Sequence, residues 1–127
     1  MIWGNGIDFV DLKEFERLLN LNREKFLNFI LTEKEKNKID SEYPIKKIAG
    51  IFSAKEAVFK SLNLPKEEFK NFNYFQEIEI DHLDSGKPIV NFLNSLAEKF
   101  LKEKFKIFIS ISYNSNSVIS CAIIEKV

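Results

Sequence analysis

An α+β fold, with helices packed on a mainly antiparallel sheet, is the architecture this sequence predicts. Three observations carry that expectation. The chain opens on Ile2–Val10, a loosely alternating segment rich in β-branched and aromatic residues. It closes on two more such segments, Ile107–Tyr113 and Ser117–Glu125, which flank the turn chemistry of Asn114-Ser-Asn-Ser117 and read as a hairpin. Between them, Ile45 to Leu62 is the longest uninterrupted helical pattern. Helices gathered onto a sheet of this kind define the class.

The remaining elements follow in order. From Asp11, the residues Leu12, Phe15, Leu18 and Leu19 recur at helical spacing, and Asn22–Leu31 forms a second short helix expected to bury Phe26, Phe29 and Ile30. Thr32 and Glu35, three apart, make a capping box that opens another helical turn. Pro44 favours an extended residue before it and a helix start after it. Pro65–Phe72 is a weak helical or loop segment. Tyr74–Leu83 alternates as a strand with Phe75, Ile78 and Ile80 as core candidates, Asp84–Pro88 is a turn, and Ile89–Phe92 resumes as strand. Leu93–Lys104 presents Leu93, Leu96, Ala97, Phe100 and Leu101 as one helical stripe.

Composition narrows the function. At 127 residues the chain fits a single domain, residues 1–127, and its 45% hydrophobic content is enough for a core. Nineteen basic residues balance nineteen acidic ones, so no net charge draws it to nucleic acid or membrane. No apolar run reaches the ~20 residues of a membrane span, and the N-terminus lacks the pattern of a signal peptide, so a cytoplasmic location is expected. One cysteine, Cys121, excludes an internal disulfide, and one histidine, His82, excludes a multi-histidine metal centre. Seventeen Lys stand against two Arg, Arg17 and Arg23. Phosphate binding must therefore lean on lysine, metal or backbone amides, because lysine lacks arginine's two-pronged fork.

Two carboxylates stand out. On the long helix, with Ile45 taken as 0°, Glu56 falls at about 20°, inside the apolar sector of Ile48, Ala49, Phe52 and Phe59, and Lys60 falls on its edge at about 60°. A carboxylate so placed needs a cation. Lys60, one turn on, is one candidate; a divalent metal, with Lys60 aimed at a second anion, is the other. In the first strand, Gly6, Asp8 and Val10 share one face while Ile7 and Phe9 share the opposite one. An aspartate within a short apolar strand is unusual. Asp8 and Glu56 together offer two hard oxygen ligands, a set suited to Mg²⁺ completed by waters and phosphate oxygens.

These residues carry a resemblance to the holo-[acyl-carrier-protein] synthases, the short 4′-phosphopantetheinyl transferases. Gly6-Ile-Asp-Phe-Val-Asp-Leu12 is similar to the family's first-strand motif, and Ile48-Ala-Gly-Ile-Phe-Ser-Ala-Lys-Glu-Ala-Val-Phe-Lys60 resembles its second signature. Ile30–Glu35, Gly86-Lys-Pro88 and Ser110-Ile-Ser112 resemble further family segments, in order, so the similarity spans essentially the whole chain.

The resemblance implies transfer of the phosphopantetheine arm of coenzyme A to a serine of apo acyl carrier protein, releasing adenosine 3′,5′-bisphosphate, in fatty acid biosynthesis. It implies Asp8 and Glu56 as Mg²⁺ ligands, with Asp8, Glu56 and Lys60 as the catalytic set. It also implies coenzyme A contacts from Lys55, Lys60, Gly86, Lys87, Pro88, Ser112 and Tyr113, and a homotrimer with sites near subunit boundaries. The chain departs from the family pattern at Glu14, Phe29 and Ile51, where arginine is common, and at Tyr113, where histidine is. Those departures shift the expected phosphate contacts to lysines such as Lys47 and Lys55, and the carrier contacts to Lys13, Arg17 and Arg23. A non-catalytic module that binds coenzyme A or the carrier is the alternative they leave open. Elsewhere, Gly4-Asn-Gly6 reads as the opening of a strand, His82 as a surface residue and Cys121 as inert packing.

Overall fold

The computed structural model describes residues 1–39, 44–65, 67 and 72–127. Its strands are β1 (Ile2–Asp11), β2 (Ile78–His82), β3 (Pro88–Phe92), β4 (Phe105–Tyr113) and β5 (Ser117–Lys126). Its helices are α1 (Leu12–Leu21), α2 (Arg23–Ile30), α3 (Glu33–Lys38), α4 (Ile45–Ser61) and α5 (Asn94–Leu101). Two antiparallel sheets result, one of order β1-β5-β4 and one pairing β2 with β3. Helices packed against antiparallel strands are the architecture the sequence predicts.

Alternation decides which strand face is buried. In β1, Gly6 and Val10 are buried while Ile7 and Phe9 are exposed; in β5, Val118, Ser120, Ala122 and Ile124 are buried while Ile119, Cys121 and Ile123 face out. Register joins the two inner faces, placing Gly6 opposite Ala122, Asp8 opposite Ser120 and Val10 opposite Val118. Cys121 is therefore exposed on the outer face rather than packed inside.

Side-chain caps start the helices where the sequence places them. The Asp11 side chain accepts from the Glu14 amide at 2.9 Å, and Thr32 and Glu35 form the expected capping box. Four expectations need correction. The segment from Tyr74 begins as a 3₁₀ turn, Tyr74–Gln76, because the Asn73 side chain accepts from the Phe75 amide at 3.1 Å and bends the chain before β2. Helix α5 ends at Leu101, short of Lys104, because the Glu103 carbonyl accepts from the Phe105 amide as β4 begins. Phe29 is exposed, since α2 buries Leu27 and Ile30 on its other side. Finally, α4 is buried nearly all round: Gly50, Ser53, Ala54, Ala57 and Ser61 are covered, whereas Phe52, Glu56 and Phe59, at the middle of the predicted stripe, are only partly so. Small residues there let β1 and β5 approach the helix closely. Most of Pro65–Phe72, and the side chain of Leu101, lie outside the described residues.

Candidate active site

Two glycines set the distance between β1 and α4. A Cβ on Gly6 would lie 2.0 Å from the Ala57 carbonyl oxygen, and one on Gly4 would lie 2.1 Å from that of Ser61. Only glycine allows the strand to rest so closely on the helix backbone. Asp8, on the same strand face, is thereby brought to α4.

Lys60 meets it there. The Lys60 ammonium donates to Asp8 Oδ1 at 3.2 Å and to the Ile7 carbonyl at 3.0 Å. The i,i+4 bridge between Glu56 and Lys60 is not the arrangement adopted; among the described residues Lys60 forms its ion pair with Asp8. The other aspartate oxygen, Oδ2, is buried with no hydrogen-bond partner, and so is the Ser120 hydroxyl, whose residue sits directly opposite Asp8 in the ladder. A buried polar atom left unpaired costs roughly 1–3 kcal/mol, more when it is charged.

Glu56 is half-buried and accepts a hydrogen bond on Oε1 from the Tyr74 hydroxyl. Burial raises its carboxyl above the usual range; the Tyr74 bond and Lys60 work against that rise, and the Asp8 charge reinforces it. Burial, and then Glu56, hold the Tyr74 hydroxyl protonated, so it serves as the donor. Asp8 and Glu56 therefore sense one another's charge, and one of them shows a buried oxygen without a partner. Hard oxygens and an unsatisfied lone pair fit a divalent cation of the Mg²⁺ type. Among the described residues, no group of three or more His, Cys, Asp or Glu side chains is assembled, so an ion held here would complete its shell with oxygens from outside the protein.

The other expected ligands are dispersed. Lys55 is fully buried, and its ammonium donates to Glu35 Oε1 at 2.5 Å, to the Ile30 carbonyl at 2.7 Å and to the Phe75 carbonyl at 2.6 Å. All three N–H bonds of the ammonium are engaged inside the subunit, which removes Lys55 from the coenzyme A contacts expected of it. Tyr113 lies on the inner face of β4 with its hydroxyl against Gly50, where a Cβ would come within 2.1 Å. It lines an open cleft of about 540 Å³ together with Lys38, Lys46, Lys47, Ile51 and His82. Ser112, the next residue back, is exposed on the opposite face of the strand. Gly86 and Lys87 are exposed in the β2–β3 turn, where φ of +88° at residue 86 requires glycine, and Pro88 pairs with His82 at the edge of the cleft.

Tyr74 and Ser120 are the site residues that sequence reasoning missed. Ser120 was legible as the one polar residue among the inward positions Val118, Ala122 and Ile124 of β5. Tyr74 gave no such signal, since its segment reads as ordinary strand.

Comparisons with known proteins identify the family. The profile of the 4′-phosphopantetheinyl transferase superfamily matches residues 4–122. The chain is 36% identical over 126 residues to a holo-[acyl-carrier-protein] synthase of Clostridium botulinum, covering 98% of each chain. It is 39% identical over 129 residues to one from a Geobacillus species, covering 99% of this chain and 98% of the other. Among solved structures, the Neisseria meningitidis holo-[acyl-carrier-protein] synthase superposes with a TM-score of 0.87 at 28% identity, covering 99% of this chain and 100% of that one. The Bacillus anthracis synthase in complex with CoA (3′,5′-ADP) matches with a TM-score of 0.76 at 29% identity, over 100% and 99% of the two chains. A strand aspartate pressed onto a Lys-Glu-Ala helix, within a fold shared along the whole chain, places this protein in the holo-[acyl-carrier-protein] synthase family of the 4′-phosphopantetheinyl transferase superfamily.

Proposed function

We propose that this chain, a single catalytic domain, transfers the 4′-phosphopantetheine arm of coenzyme A to a serine hydroxyl of an apo acyl carrier protein, with Mg²⁺ as cofactor and adenosine 3′,5′-bisphosphate as the second product. The observation that carries the reading is the Lys60–Asp8 pair that joins α4 to β1, one turn from Glu56 on the same helix, with Asp8 Oδ2 left buried and unpartnered. Asp8 and Glu56 hold the ion, which when bound withdraws charge from the pyrophosphate of coenzyme A. Lys60 lies beside the same carboxylate and stabilises the departing bisphosphate. Glu56, or a water that it orients, takes the proton from the incoming serine. The serine oxygen bonds to the phosphorus that bears the pantetheine arm, and the bond from that phosphorus to the bisphosphate breaks.

Cations beside the apolar cleft supply the rest of the coenzyme A grip. Lys46 and Lys47 line it in the region where Ile51 and Tyr113 depart from the family pattern, so phosphate contacts fall to lysine point charges. A weaker hold on coenzyme A than arginine gives is the expected consequence. For the carrier, the exposed Leu18, Leu21 and Phe29 form an apolar groove with Lys25 at its edge, and Lys13 and Arg17 lie on the adjoining helix. That surface suits an acidic amphipathic helix.

A homotrimer is part of the proposal. The outer face of the β1-β5-β4 sheet exposes Ile7, Phe9, Phe108, Ile119 and Ile123, an apolar patch that a second copy of the chain would cover. The purified protein, incubated with Mg²⁺, coenzyme A and apo acyl carrier protein, should add one phosphopantetheine to the carrier by intact mass. Coenzyme A binding without any gain in carrier mass would support a non-catalytic binding module instead.

A further inference from the structure

We propose that Tyr74 is the positioning residue of the ion site: its hydroxyl fixes one oxygen of Glu56 and so directs the other toward a divalent cation. The inference rests on the two-carboxylate reading above and names a part of the site that the sequence motifs do not contain. Glu56 has three rotatable side-chain bonds and sits half-buried on α4, where Lys60, its neighbour one turn on, is bonded to Asp8 instead. The Tyr74 hydroxyl donates to Oε1 and supplies that selection.

Tyr74 is itself held. Its ring stacks on Phe59 with centroids 3.9 Å apart and planes 12° from parallel, and on Phe75 at 4.5 Å. The backbone of its turn is anchored where Lys55 donates to the Phe75 carbonyl at 2.6 Å and where Asn73 Nδ2 donates to the Phe29 carbonyl at 2.9 Å. Lys55 and Glu56, consecutive on α4, thus grip the same turn, one through its backbone and one through its hydroxyl.

The two carboxylates are prepared alike. Asp8 has Oδ1 engaged by Lys60 and Oδ2 left unpartnered; Glu56 has Oε1 engaged by Tyr74. One held oxygen and one presented oxygen per carboxylate make two single-oxygen ligands, which leaves room in an octahedral Mg²⁺ shell for oxygens from outside the protein. Outer donors of this kind orient metal ligands, and their loss typically lowers metal affinity by about 10–100-fold.

The test compares wild type, Tyr74→Phe and Glu56→Gln as full-length protein. Binding of Mg²⁺ alone is followed by isothermal titration, and of Mn²⁺ alone by its electron paramagnetic resonance signal. Tyr74→Phe keeps the ring stack and removes only the hydroxyl. It should weaken both ions by about tenfold or more, leave the metal-free melting temperature close to wild type, and leave the KM for coenzyme A unchanged at saturating Mg²⁺. Glu56→Gln should abolish binding. Wild-type ion affinity in Tyr74→Phe, beside loss in Glu56→Gln, overturns the role of Tyr74 and leaves the ion site standing. Wild-type affinity in Glu56→Gln overturns both. A large drop in metal-free melting temperature with unchanged ion affinity makes Tyr74 purely structural and also overturns the proposal.

Discussion

Lys60 donates to Asp8, fifty-two residues away on another element, rather than to Glu56 one turn back on its own helix. The geometry of the site follows from that pairing: the cation of α4 is drawn to the strand, and Glu56 turns to Tyr74. Lys60→Met should therefore reduce transfer by two orders of magnitude or more, on the order of what a charge-stabilising donor contributes. Because the pair is partly exposed, stability should change by no more than about 1 kcal/mol. Steady-state kinetics and urea unfolding on the same samples separate the two effects; a fully active Lys60→Met removes it from the mechanism.

Lys55 is expected to behave in the opposite way. It is paired with Glu35 in full burial, with the ammonium pushed down and the carboxyl pushed up by desolvation. Removing one partner from such a pair costs about 3–5 kcal/mol. Lys55→Met should lower stability by that order, and a further Glu35→Gln, which removes the unpaired charge and keeps a side-chain acceptor for the Thr32 and Ile80 amides, should recover part of it. Coenzyme A affinity lost in Lys55→Met without loss of stability would return this lysine to the ligand site.

Gly6→Ala tests the close approach of β1 to α4. The added methyl would meet the Ala57 carbonyl at 2.0 Å, so strand and helix must separate. Overpacking of this kind costs about 1–3 kcal/mol or more, and the shift carries Asp8 away from Glu56. The expected result is a lower melting temperature together with weakened Mg²⁺ binding; a fully stable variant with intact binding would show that the approach is not needed.

Asp81 governs part of the acid limb of stability. Lys38, the His82 amide and Lys34 hold its carboxyl well below the ordinary aspartate value. A depressed folded value contributes stability that is fully present above the unfolded pKa of about 4 and is lost as pH falls below it. Asp81→Asn should flatten the fall in melting temperature between about pH 4 and pH 2, and high salt should mimic it because the ion pairs are exposed. An unchanged acid limb contradicts the assignment.

On the outer sheet face, Phe9 is 65% exposed. Phe9→Lys places a charge at the expected contact between copies, so sedimentation should show a trimer for the wild type and a smaller species for the variant. A wild-type monomer would end that part of the proposal.

Periodicity made the five strands and the long helix legible, because alternation and the 3.6-residue repeat report burial directly. The same reasoning misplaced the centre of the α4 stripe. It counts large apolar residues and so finds Ile48, which is fully buried, but the buried face extends to Gly50, Ser53, Ala54 and Ala57, which bury by closeness rather than by size. Asp8 and Glu56 were visible as polar residues where apolar ones belong. Tyr74 was not, since its role depends on a 3₁₀ turn fixed by Lys55 and Asn73, contacts that join residues far apart in the chain. Lys55 was misread for a related reason: a lysine in a motif suggests phosphate, and only the fold discloses that Glu35 and two carbonyls already engage it.

The central claim is that one strand carboxylate and one helix carboxylate hold a single divalent ion against the pyrophosphate of coenzyme A. Crystals grown with coenzyme A and Mn²⁺ test it most directly through the anomalous signal of the metal. The account predicts one peak within bonding distance of both Asp8 and Glu56 and of the pyrophosphate oxygens. Bound coenzyme A with no peak there, or with the ion on other residues, would contradict it.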